Sequence, residues 1–143
     1  MDWTLEVVVV PVSDVDRAKA FYADQIGFHL DFDVVVGPGQ RLVQLTPKGS
    51  GCSIVIGEGA LPKMPPGSLK GLQLVVADLP LARSTLVSAG VDVTEIELFG
   101  PDPGTGRPED LDNIGFFHFA DPDGNAWSVQ QISARANPPA PHS

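Results

Sequence analysis

The chain has 143 residues, 43% of them hydrophobic, with a net charge of −9 and an isoelectric point near 4.5. That length suits one domain, or two half-size modules sharing a core. The nine scattered basic residues argue against a nucleic-acid partner, which needs clustered Lys and Arg, and the single cysteine, Cys52, excludes an internal disulfide and a Cys-rich zinc site.

Residues 5–10 form a short β-branched run ended by Pro11, the pattern of a strand buried on both faces. Ser13 or Asp14 caps a helix whose apolar positions Val15, Ala18, Phe21, Tyr22 and Ile26 fall at spacings of three and four, and Gly27 closes it. Strands are predicted over 28–36, 41–46 and 52–56, separated by Gly37-Pro38-Gly39 and Gly49-Ser50-Gly51 turns. A connector rich in Gly and Pro follows over 57–67. The second half begins with a strand over 72–76 and a helix in which Leu79, Ala82 and Leu86 align, stopping at Gly90. Residues 91–98 are predicted as a strand and 100–112 as a polar loop, of the kind that forms lids or site walls. Strands over 116–120 and 126–132 flank the turn Asp121-Pro122-Asp123-Gly124-Asn125. The Pro-rich tail over 136–143, which holds His142, is expected to be disordered.

The two halves repeat one another. Asp78 follows Asp14 by 64 residues, and each Asp stands between a β-branched strand and a helix stopped by Gly. Such a module cannot bury its own apolar face and needs its twin. The repeat, the segments Val12-Ser13-Asp14, Ala20-Phe21-Tyr22 and Ile26-Gly27-Phe28, and the turn Asp121 to Asn125 resemble the vicinal oxygen chelate superfamily over residues 4–132. That group includes glyoxalase I, bleomycin-resistance proteins, fosfomycin-resistance enzymes, extradiol dioxygenases and methylmalonyl-CoA epimerase. The resemblance implies an α+β fold of two βαβββ modules, residues 1–60 and 68–133, forming a curved mixed sheet, or half-barrel, around a cavity, with 134–143 as a tail. It also implies a homodimer.

In metal-dependent relatives, the resemblance places ligands at positions that here hold Val7, Val55, Gly71 and Ser128. Stripping water from a divalent ion requires several imidazole or carboxylate groups, which Val, Gly and Ser do not supply. No metal and no cofactor is therefore expected, and metal-dependent glyoxalase or dioxygenase activity is disfavoured. Glu6 adjoins Val7, but strand alternation sends it to the opposite face. The same alternation gives a predicted inner wall of Val7, Val9, Ser53, Val55, Gln73, Val75, Phe116, His118, Ser128 and Gln130, apolar with a few polar fixings.

His118 is the one candidate general acid or base, because imidazole titrates near neutrality, although a partly buried structural histidine explains it more simply. Ser128 and Gln130 either orient a ligand or satisfy each other. His29 reads as a surface residue, Asp121 and Asp123 as turn residues rather than a catalytic pair, and Trp127, on the outer parity of its strand, as a packing aromatic. Two functions survive. The preferred one is a metal-free, bleomycin-resistance-like protein that sequesters an apolar or aromatic metabolite or antibiotic in a groove between modules. The other is an enzyme, whether a lyase, isomerase or cyclase, using His118 without metal or holding a metal through relocated ligands such as Glu6, His118 and Glu58. A small-molecule partner is expected, with neither nucleic acid nor membrane. No apolar run reaches the roughly 18 residues that span a bilayer and the N-terminal residues lack the pattern of a secretion signal, so the expected location is the cytoplasm.

Overall fold

The computed structural model describes residues 1–135, so the predicted tail over 136–143 and His142 lie outside the described residues. The chain divides into two compact units. Among the described residues, the first comprises Met1–Lys70 with the turn Ala120–Ala126, and the second comprises Gly71–Phe119 with residues 127–135. Each contains one open four-stranded mixed sheet, in keeping with the expected α+β architecture.

In the first unit β1 (Val7–Val9), β2 (His29–Gly37), β3 (Gln40–Thr46) and β4 (Ser53–Glu58) assemble in the order β1-β4-β3-β2. β1 runs parallel to β4, whereas β3 is antiparallel to both β2 and β4. Helix α1 (Val15–Ala20) starts at Asp14, whose extended backbone lets its carboxylate accept the Arg17 N–H at 3.0 Å. The predicted helix does not continue regularly to Gly27. It widens into a π-helical stretch, Phe21–Gln25, closed by an Ile26 N–H bond to the Phe21 carbonyl at 2.9 Å. The wider turn lets the consecutive Phe21 and Tyr22 both enter the core, where they join Val15, Ala18, Val43, Leu45, Ile54 and Ile56. Gly27, at φ +87°, then reverses the chain, and Phe28 stacks on Tyr22 with ring centroids 5.8 Å apart.

The second unit repeats the plan with β5 (Leu72–Val76), β6 (Glu97–Leu98), β7 (Gly115–Ala120) and β8 (Ala126–Gln131) in the order β5-β8-β7-β6. Helix α2 (Leu79–Ser88) is capped by Asp78, which accepts the Leu81 N–H at 3.0 Å, with Pro80 in the first turn, where its missing donor costs nothing. Leu79 and Leu86 are buried, as are Phe117, Phe119, Trp127 and Val129 on one sheet face. Phe119 and Trp127 stack in parallel at 5.9 Å, so Trp127 is a packing residue.

The predicted strand over 91–98 contracts to Glu97–Leu98. Its ladder fails at Thr94. The Thr94 N–H does donate to the His118 carbonyl at 3.0 Å, but the Thr94 carbonyl accepts Arg83 Nε at 2.8 Å instead of the His118 N–H. That N–H turns to Thr94 Oγ1 at 2.9 Å. Side-chain bonds from Arg83 and to the Thr94 hydroxyl thus stand in place of the second strand bond of this pair.

Candidate functional site

Strand alternation gives each sheet a covered face and a more open one. In the first unit the register sets Val7 beside Ser53 and Val9 beside Val55, which gathers all four predicted residues of this unit on one face. Ser53 and Val55 are 7% and 8% exposed, whereas Val7 is 38% exposed. Gln44 opposite Val55, and Phe32 opposite Gln44, extend that face to the edge strand.

In the second unit Gln73 lies beside Ser128 and Val75 beside Gln130. Phe116 and His118 alternate with the buried Phe117 and Phe119, so they share the half-exposed face. Gln73 Nε2 donates to Gln130 Oε1 at 2.6 Å, Ser128 Oγ lies 3.4 Å from Gln73 Oε1, and Gln130 Nε2 donates to the Asn113 carbonyl at 2.8 Å. The amides therefore satisfy one another, forming a fixed polar strip. Phe99 packs edge-on against Phe116 with centroids 5.0 Å apart, adding an exposed aromatic beside it. The His118 imidazole is half-buried, and among the described residues no hydrogen bond reaches its ring.

A divalent ion does not fit the four positions that the resemblance assigns to metal ligands. Val7, Val55 and Gly71 have no side-chain donor, and the Ser128 hydroxyl is a neutral group engaged with Gln73. A Cβ built on Gly71, at φ +89°, would meet nothing within 4 Å, so the space is free. Among the described residues no three His, Cys, Asp or Glu side chains converge. Glu6 and Glu58 cannot hold an ion together. The Glu6 carbonyl accepts Ser53 N–H at the start of β4 and Glu58 ends that strand, a separation of roughly 17 Å at ~3.3 Å per residue.

Alternation alone did not reveal a second polar group on the first unit's open face. The β2–β3 register steps from Leu30 opposite Leu45 to Phe32 opposite Gln44, leaving Asp31 as the extra residue of a β-bulge. Asp31 Oδ2 accepts Gln44 Nε2 at 3.1 Å and the Thr46 hydroxyl, and Thr46 Oγ1 lies 2.6 Å from Ser53 Oγ. His29 Nε2 stands 3.8 Å from Asp31 Oδ1, with its own side chain 72% exposed. The Thr46 hydrogen bond holds the Asp31 carboxyl below the usual carboxylate range, against a smaller opposing effect of burial. A cavity of about 240 Å³ lies at the end of β1, lined by Val9, Pro11, Gly57, Leu61 and Met64, with Lys63.

Asp121 and Asp123 are turn residues, as expected, but they also tie the turn to the first unit. Asp121 Oδ2 accepts the buried Tyr22 hydroxyl at 2.8 Å, and Asp123 accepts the Ser13 hydroxyl at 2.6 Å.

The family model described as Glyoxalase/Bleomycin resistance protein/Dioxygenase superfamily matches residues 4–129. The chain belongs to this superfamily. The crystal structure of TnmS3, an antibiotic binding protein from Streptomyces sp. CB03234, is 35% identical and superposes with a TM-score of 0.73, covering 92% of this chain and 98% of that one. A glyoxalase/bleomycin resistance protein from the same organism is 34% identical with a TM-score of 0.70, covering 90% and 100%. The uncharacterized protein YetH of Bacillus subtilis (strain 168) is 24% identical over 126 residues, 87% of this chain and 94% of its own.

Proposed function

We propose that this protein binds and sequesters an apolar or aromatic small molecule, a metabolite or antibiotic, on its open sheet faces, without a metal ion. The observation that carries this reading is the composition of the face at Phe116. The exposed Phe99 and the half-exposed Phe116 form an edge-to-face pair beside amides that are already hydrogen-bonded to each other, and the positions that the resemblance assigns to metal ligands offer no more than one neutral hydroxyl. Burial of apolar area is what such a surface offers, at roughly 25 cal/mol per Å². The antibiotic-binding role of TnmS3, similar over nearly the whole chain, supports the same reading. A cytoplasmic location and a homodimeric state belong to this proposal.

The test is a thermal-shift series with planar aromatic ligands and, separately, with divalent ions. Ligands are expected to raise Tm through preferential binding to the folded state, and ions to leave it unchanged. A rise with stoichiometric metal and none with any aromatic ligand would overturn the proposal. His118→Ala should weaken binding by no more than about tenfold, ~1.4 kcal/mol, as suits a wall residue rather than an acid-base catalyst.

A further inference from the structure

We infer that Asp31 is a charge-reading residue of the binding surface, and that the bound molecule carries a protonated amine on its apolar or aromatic body. This rests on the sequestration reading and narrows its ligand class. The bulge in β2 is the first support. Without the extra residue, successive side chains would alternate across the sheet, and an acid next to Phe32 would face away from it. The bulge instead brings Asp31 to Gln44 and Thr46, on the face that carries Val7, Val9, Ser53 and Val55.

The division of its oxygens is the second support. Both neutral donors, Gln44 and Thr46, reach Oδ2, and Thr46 is in turn fixed by Ser53. Oδ1 has among the described residues only the imidazole of His29, at 3.8 Å, beyond hydrogen-bond length. The side chain is 26% exposed, and the hydrogen bonds to its neighbour oxygen favour the ionised form. One oriented acceptor with spare capacity, next to the apolar Phe32 and Val34, is the arrangement that takes an ammonium while its hydrocarbon body lies on the sheet. The chain's net charge of −9 favours encounter with such a cation.

Matched three-ring probes test this: 9-(aminomethyl)anthracene, an ammonium at neutral pH, and anthracene-9-carboxylate, an anion. Fluorescence titration of the wild-type protein should give at least a tenfold lower Kd for the cation. Asp31→Asn, which preserves shape and an acceptor for Thr46, should raise the cation's Kd about tenfold and leave the anion's unchanged or lower. Equal wild-type affinities for the two probes, measured without any variant, would overturn the inference while leaving sequestration standing. So would a preference that survives in a folded Asp31→Asn protein. Failure of the wild type to bind either probe would remove sequestration and the amine inference together.

Discussion

Four donors reach the buried carboxylate of Asp121: the Tyr22 hydroxyl at 2.8 Å, the Asn125 side-chain amide at 2.7 Å, and the Asp123 and Asn125 N–H groups at 3.0 and 2.9 Å. Asn125, itself fully buried, also donates to the Pro11 carbonyl at 2.8 Å and accepts the Leu69 N–H at 3.1 Å. Removing the carboxylate strands several buried donors at once, so Asp121→Ala should cost about 3 kcal/mol, read as a lower urea midpoint at unchanged m. A fall under about 1 kcal/mol would mean that water replaces the carboxylate. Asp33 gives a pH-dependent counterpart. Arg41 first, through Nε at 2.9 Å and Nη2 at 2.8 Å, and then Lys19 at 2.8 Å hold its carboxyl far below the usual carboxylate range. A carboxyl depressed in the folded state stabilises it above the unfolded pKa of about 3.9 and loses that contribution as pH falls toward the folded value. Asp33→Asn should therefore lower stability by about 1 kcal/mol near pH 7, and the gap to wild type should hold to about pH 5 and shrink below about pH 4. A gap that widens in acid would refute that sign. The sequence marks Asp121 as a turn residue from its Pro and Gly neighbours, but its partner Tyr22 is 99 positions away, a distance that no local pattern encodes.

Elements with a strict period were legible before their partners were known. Alternation on β7 and β8 separates the buried Phe117, Phe119, Trp127 and Val129 from the half-exposed Phe116, His118, Ser128 and Gln130, and a one-residue slip would expose the whole buried set. Asp31 escaped the same rule because a bulge suspends alternation, and nothing local distinguishes the acid before Phe32 from any other. The strand over 91–96 failed for a different reason. β-branched composition predicts it, but the Thr94 carbonyl and hydroxyl bond to Arg83 of α2 and to the His118 N–H, side-chain partnerships that composition does not encode. Glycine roles likewise divide at this scale. Gly27 and Gly67 both have positive φ, +87° and +77°, but a Cβ on Gly27 meets nothing within 4 Å, whereas one on Gly67 falls 1.9 Å from the Asp123 carbonyl oxygen. Gly27→Ala should cost about 1 kcal/mol of backbone strain and Gly67→Ala about 3 kcal/mol or more, because backbone must move. Equal melting temperatures for the two variants would mean that the turn at Asp123 yields without cost.

For the whole molecule, the repeat carries more information than any single motif. Two Asp-capped helices, each preceded by a strand parallel to its unit's fourth strand, follow from one pattern read twice, and this is why the superfamily was recognisable while its ligand was not. The ligand's chemistry depends on side chains at variable positions of a shared scaffold. Association is likewise not coded by the repeat, but the first unit displays an exposed apolar edge from which a dimer contact is predicted. β2 ends its sheet's order, and its consecutive Val34, Val35 and Val36 are 41%, 75% and 53% exposed. The bulge at Asp31 and the register shift between Val35 and Gly37 guard this edge in part, but the valine run carries no charge and the strand's nine residues include no lysine, which leaves apolar surface open to a second copy. The protein should therefore sediment as a dimer at micromolar concentration. Val35→Lys places a charge on that edge and should raise the dimer Kd at least tenfold, ~1.4 kcal/mol, without lowering the monomer's urea midpoint, since Val35 contributes little to its own core. A wild-type chain that sediments as a monomer, or a Val35→Lys chain that dimerises undiminished, would place β2 outside any interface.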